Sequence, residues 1–163
     1  MDVAADIARI IYQEQQLVLP RFDETVAFEL GSKVRELALA QNLSLVVDIR
    51  TWDRQMFFSA TAGTSADNAE WVRRKVNTVR RFQRASYRSV LERGEEGFRS
   101  AHAIDAQDYV LAGGGFPLRV SNAGIIGCLT VSGLPQRQDH EVGVEALCQH
   151  LGLTFQDYAL ALE

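Results

Sequence analysis

The sequence is poor in the residues that staple or punctuate a fold. Of its 163 residues, two are cysteine (Cys128 and Cys148) and three are proline. Two thiols cannot frame a disulfide-bonded scaffold. With no secretory leader recognisable at the start, they point to reduced thiols in a cytoplasm. No apolar run reaches the length of a membrane span, which argues against a membrane partner. Charge is not lopsided either: 17 basic against 21 acidic residues leave a net −4, no general attraction for nucleic acid or an anionic surface. Low-complexity tracts and internal repeats are missing. One domain spanning residues 1–163, large enough to bury a proper core, is therefore expected.

The familiar catalytic signatures are missing as well. There is no Gly-x-Ser-x-Gly nucleophile turn. The glycines at 113–115 precede a strand pattern instead of opening a helix with Lys-Ser/Thr, so they make neither a phosphate loop nor a dinucleotide fingerprint. His102, His140 and His150 lack zinc spacing, no Cys-x-x-Cys occurs, and no metal site is assigned. His102 is either an exposed loop residue or a candidate ligand for haem iron.

What is present reads as alternating helices and hairpins. Residues 1–16 carry Ile7, Ile10 and Ile11 at helical spacing. Asp23 is placed to cap a second helix running to about Ala40, where Gly31 lies in the apolar stripe and permits close packing. Residues 43–49 and 54–60 make a hairpin, in which Asp48 shares a face with Val46 and pairs with an arginine or faces a ligand. Asp139 is expected to cap the last helix, which Gly152 stops.

A long helix over 69–91 is the most informative segment. Trp71, Val72, Val76, Val79, Phe82 and Val90 form an apolar arc, and Arg73, Arg80, Arg81, Arg84 and Arg88 gather opposite. Eight of the 17 basic residues lie between Arg73 and Arg93. This face is either solvated or holds anionic groups such as phosphates or propionates, or an acidic surface of another subunit. Without interleaved aromatics it does not read as a nucleic-acid surface. Lys75 falls inside the apolar arc, between Trp71 and Val79. A buried ammonium is costly, so Lys75 either snorkels at an interface edge or faces a ligand or a carboxylate such as Asp48.

Gly113-Gly114-Gly115-Phe116-Pro117 then opens a second hairpin, and glycines without Cβ atoms let another group approach the backbone. Together with Asp48-Ile49, Gly63-Thr64, Asp67-Asn68, Trp71, Arg74-Lys75-x-Asn77, Arg81-Phe82, Val131-Ser132-Gly133-Leu134-Pro135 and Asp139-His140, this stretch resembles the GlcG/HbpS-like family, often labelled haem-degrading domain. The resemblance covers roughly residues 20–150. Two positions depart from the pattern: Ala112 stands where a histidine commonly precedes the glycines, and Ala85 where a serine is common.

The resemblance implies an α/β (α+β) fold, a profilin-like antiparallel sheet with flanking helices, assembled as dimers or larger rings. It implies a haem-interacting or haem-degrading-like protein, with haem as the cofactor to test. The alternatives are a module that binds or senses a small anionic metabolite, and an oligomeric interaction protein without catalysis. The ligand-binding candidates are Lys75, Asp48, Arg74, Arg81 and the Gly114, Gly115, Phe116, Pro117 backbone.

Overall fold

The computed structural model describes residues 2–161. Helix α1 (Val3–Gln16) starts at Asp2, whose carboxylate accepts the Ala5 N–H. A two-residue strand β1 (Val18–Leu19) follows. Helix α2 (Glu24–Ala40) is capped by Asp23, as its sequence predicts, through a 2.9 Å bond from the Val26 N–H. The hairpin β2 (Val46–Thr51) and β3 (Gln55–Ala60) leads to α3 (Ala66–Phe82) and α4 (Ser86–Arg93). The second hairpin, β4 (Gly115–Val120) and β5 (Gly124–Ser132), precedes α5 (Gln136–Leu151), which ends at Gly152 in the left-handed conformation.

The five strands form one sheet in the order β1-β4-β5-β2-β3. It is not wholly antiparallel as expected, because β1 pairs parallel with β4. The sheet is covered on both faces. Val47, Ile49, Leu129 and Val131 join the larger core with α2 and α5. The alternate residues Val46 and Cys128 pack under Val72, Val76 and Val79 of α3. This alternation is what strand geometry dictates, and it assigns each strand residue to one of two environments. At Gly31 an added Cβ would overlap the Phe57 ring, so the close packing read from the α2 stripe is real.

Two expectations are corrected. The helix over 69–91 is two helices, broken where Gln83 takes a left-handed φ of 53° and Ala85 an extended conformation. The break turns α4 toward α1, where Glu14 accepts the Ala85 N–H at 2.7 Å and pairs with Arg88 at 2.7 Å. The segment 94–103 contains two short 3-10 turns and no strand. Asp139 is not the cap of α5; Pro135 holds that position, and Asp139 lies inside the first turn. The segment after α5 docks, with Leu160 buried and Gln13 donating to the Tyr158 carbonyl.

Candidate functional site

Lys75 is the point of convergence. It projects from the sheet-facing side of α3 and is 3% exposed. Its ammonium donates to Asp139 Oδ2 at 2.7 Å and to the Val131 carbonyl at 2.9 Å. Asp139 Oδ1 in turn accepts the Leu134 N–H at 3.0 Å. One side-chain pair thus joins α3, the end of β5 and the first turn of α5. Burial pushes the Lys75 amine down and the Asp139 carboxyl up from their ordinary values, while their mutual attraction works the other way in each. The snorkelling reading fails because the ammonium is covered, and the expected partner Asp48 is replaced by Asp139.

Above the pair lies an open cleft of about 280 Å³. Asp67, Asn68, Trp71 and Lys75 line it from α3, Ala112 and Gly113 from the approach to β4, Ser132 to Leu134 from the end of β5, and Gln136 and Asp139 from α5. Trp71 is anchored by its indole N–H on Asp67 at 2.9 Å, and the Arg74 guanidinium stacks 4.4 Å over its ring. Arg74 has no carboxylate partner among the described residues. Lys75 has a third N–H beyond the two bonds above. The cleft therefore offers two cationic donors, Lys75 at its floor and Arg74 beside its wall, against the carboxylates of Asp67 and Asp139.

The other expected site residues are placed elsewhere. Asp48 is fully buried and held by Arg50 in a two-pronged bond, Nε to Oδ1 at 2.6 Å and Nη2 to Oδ2 at 2.7 Å; Gln55 supplies a further donor. The arginine reading of Asp48 is the correct one. Arg81 donates to the His102 carbonyl at 2.7 Å. Phe116 points to the opposite face of the sheet from Lys75, beside His140 with ring centres 5.8 Å apart. Pro117 is buried in β4, and Gly115 donates its N–H to Ser86 Oγ at 2.9 Å.

The glycines are not a landing surface for a flat ligand. Gly114 has a φ of +119°, and a Cβ there would overlap the Val131 carbonyl oxygen and come 2.9 Å from Lys75 Nζ. A Cβ on Gly115 would meet Val79 at 2.8 Å. The protein's own atoms fill the space, so these residues let α3 and α5 approach the strand. Most of the arginine stripe is likewise spent internally: Arg73 pairs with Asp108 and Glu70, Arg84 with Glu92, and Arg88 with Glu14 and Glu92, while Arg80 is exposed.

Two histidines have unusual surroundings. His140 is fully buried between Tyr87 and Phe116, its Nε2 2.8 Å from Gln13 Oε1 and its Nδ1 without a partner. Burial pushes it down to about 3. His102 lies edge-on to Phe82, and its Nδ1 is buried and unpartnered.

A family model described as haem degrading protein HbpS-like matches residues 22–148. The chain belongs to this family. It is 53% identical to a UPF0303 protein of Mesorhizobium japonicum over 165 aligned positions, covering 100% of this chain and 99% of the relative. A UPF0303 protein of Brucella melitensis is also 53% identical, over 90% of this chain and 88% of its own. Among solved structures, the Ybr137w protein superposes with a TM-score of 0.86 at 23% identity, covering 92% of each chain. HbpS follows at 0.64 and 16%, over 81% of this chain and 91% of its own. A PduOC:heme complex gives 0.64 and 19%, over 80% and 94%. These likenesses agree on the mixed α/β fold. Asp67, Asn68, Trp71, Lys75, Gly133, Leu134 and Asp139, all part of the motif resemblance, come from three separate segments and line the one cleft.

Haem iron accepts His, Cys, Met or Tyr. None of these lines the cleft. The position before the glycines, where the family pattern commonly has histidine, is Ala112 at the cleft wall. The cleft residues therefore suit the carboxylate-bearing edge of a ligand and supply no iron ligand.

Proposed function

We propose that this protein is a haem-interacting member of its family that engages the carboxylate edge of a porphyrin at the Lys75–Asp139 cleft, without ligating the iron from that cleft. The observation that carries this reading is Arg74, stacked on Trp71 at the cleft wall with its guanidinium free of any described carboxylate. A guanidinium matches a carboxylate with two parallel bonds, and an indole face suits a flat ring. Family membership and the haem complex of one structural neighbour, PduOC, support porphyrin as the ring to test.

Titration with haemin and with metal-free protoporphyrin IX tests the reading. Both should bind, haemin with a shifted Soret band and the free porphyrin with altered fluorescence, and Arg74→Glu should weaken both. A haemin spectrum identical to that of free haemin at stoichiometric protein overturns it.

A second reading is favoured by the cleft volume of about 280 Å³, at the lower end for small-molecule sites. A compact anionic metabolite would then be the ligand, stabilising the wild-type protein and not Lys75→Ala in a thermal-shift screen.

A homo-oligomer is the proposed assembly. Strand β3 lies at the edge of the sheet, where Phe58 is 45% exposed, and Phe28 on the neighbouring α2 is 64% exposed. Exposed apolar residues beside an open strand edge favour covering by another chain. Sedimentation decides: a strict monomer at all concentrations rejects it. A cytoplasmic setting is proposed on the two buried free thiols, Cys128 and Cys148. Among the described residues no helix is long and apolar enough to cross a membrane.

A further inference from the structure

Lys33 and Lys75 are the only lysines among the 17 basic residues; the rest are arginine. Among the described residues, the other buried or half-buried carboxylates that form ion pairs use arginine, among them Asp48 with Arg50, Glu14 with Arg88, Glu92 with Arg84 and Arg88, and Asp6 with Arg137. At the floor of the cleft the chain uses an amine instead. The two cations differ in chemistry, since a guanidinium stays protonated in proteins whereas a buried lysine can release its proton and become a nucleophile.

We propose that Lys75 is a nucleophilic amine that condenses with a small carbonyl compound entering the cleft, an aldehyde or a 2-oxo acid. The geometry supplies each participant. Asp139, 2.7 Å from the nitrogen, takes one ammonium proton and frees the lone pair. The nitrogen attacks the carbonyl carbon and passes its second proton to the carbonyl oxygen, which becomes a hydroxyl. Asp139 returns its proton to that hydroxyl, which leaves as water while the carbon–nitrogen double bond forms. The ammonium and the carbonyl compound thus give one iminium and one water, with charge unchanged, and the iminium N–H keeps its ionic partner in Asp139.

Gln136 completes the arrangement. Its Oε1 accepts the Gly113 N–H at 3.3 Å, leaving its Nε2 as a donor for the carbonyl oxygen at the cleft wall. Burial of Lys75 acts in the same direction, because desolvation favours the uncharged amine. The proposal rests on the cleft being a small-molecule site but not on the ligand being a porphyrin. A protein that binds no porphyrin and is still modified at Lys75 separates the two.

Reductive trapping is the test. The wild-type protein is incubated with glyoxylate or pyruvate and cyanoborohydride, digested and mapped by mass spectrometry. The expected result is the reduced adduct mass at Lys75 in excess over the more exposed Lys33, which serves as the reference amine within the same molecule. Lys75→Arg, which keeps the cation, should lose that adduct and keep the trace at Lys33. Asp139→Asn should slow trapping and shift its pH profile. Adduct at Lys33 with none at Lys75 overturns the proposal and leaves the pair as a structural salt bridge; this comparison needs no variant to fold.

Discussion

Lys75 Nζ and Asp139 Oδ2 lie 2.7 Å apart with each side chain 3% exposed, so neither charge has more than a sliver of water to fall back on. Removing one partner leaves the other buried and unpaired. Lys75→Met and Asp139→Asn should each cost about 3–5 kcal/mol of unfolding free energy. The double variant Lys75→Met/Asp139→Leu should regain most of it. Urea titrations of the three variants measure this, and single variants indistinguishable from wild type would contradict the burial.

His140 should make the fold acid-labile. Its folded value lies near 3 against 6.5 unfolded, so between those pH values only the unfolded chain takes up the proton. Its contribution is therefore fully present above pH 6.5 and is lost as pH falls toward 3, on the order of 5 kcal/mol over the whole window. Glu141 acts oppositely. Burial raises it to about 7 from 4.5, so its contribution is present below pH 4.5 and is lost as pH rises through 7. Between 4.5 and 6.5 the two partly cancel. Denaturation at pH 4, 5.5 and 8 should show His140→Gln flattening the acid limb and Glu141→Gln stabilising the protein at pH 8.

Gly114→Ala should damage both fold and cleft. The residue sits at φ +119°, where an L side chain is strained, and its Cβ would crowd the Val131 carbonyl and Lys75 Nζ. A loss of about 2 kcal/mol or more is expected, together with weaker porphyrin binding. Thermal melting and the haemin titration report the two effects separately; an Ala variant with unchanged melting would be inconsistent with this packing.

Elements with strong periodicity were legible in the sequence because their signals are local. The Asp23 cap, the two hairpins and the Gly152 stop each depend on a few neighbouring residues. The break at Gln83 was not legible. Periodicity continues across it, and what turns the chain is Glu14, 71 positions away, accepting the Ala85 N–H. Lys75 stood out because its residue type contradicts its place on the helical wheel. Its partner did not, since an acidic residue near a helix start has a sufficient local explanation as a cap. Asp139 could have been found by asking where a buried ammonium finds an anion among residues already grouped by the motif resemblance. Phe116 and Pro117 were grouped with the cleft by sequence adjacency, but alternation along β4 sends Phe116 to the other face of the sheet.

Helix α1 lies outside the stretch matched by the family model, yet it reaches into two later helices. Glu14 holds the start of α4, Asp6 takes Arg137 in the first turn of α5, and Gln13 faces His140. Trimming the protein to residues 22–148 would leave those partners buried or half-buried with nothing to bond. The stretch matched by the family model and the unit that folds are therefore different objects here, and helix α1 acts as a clasp closed over the back of the fold.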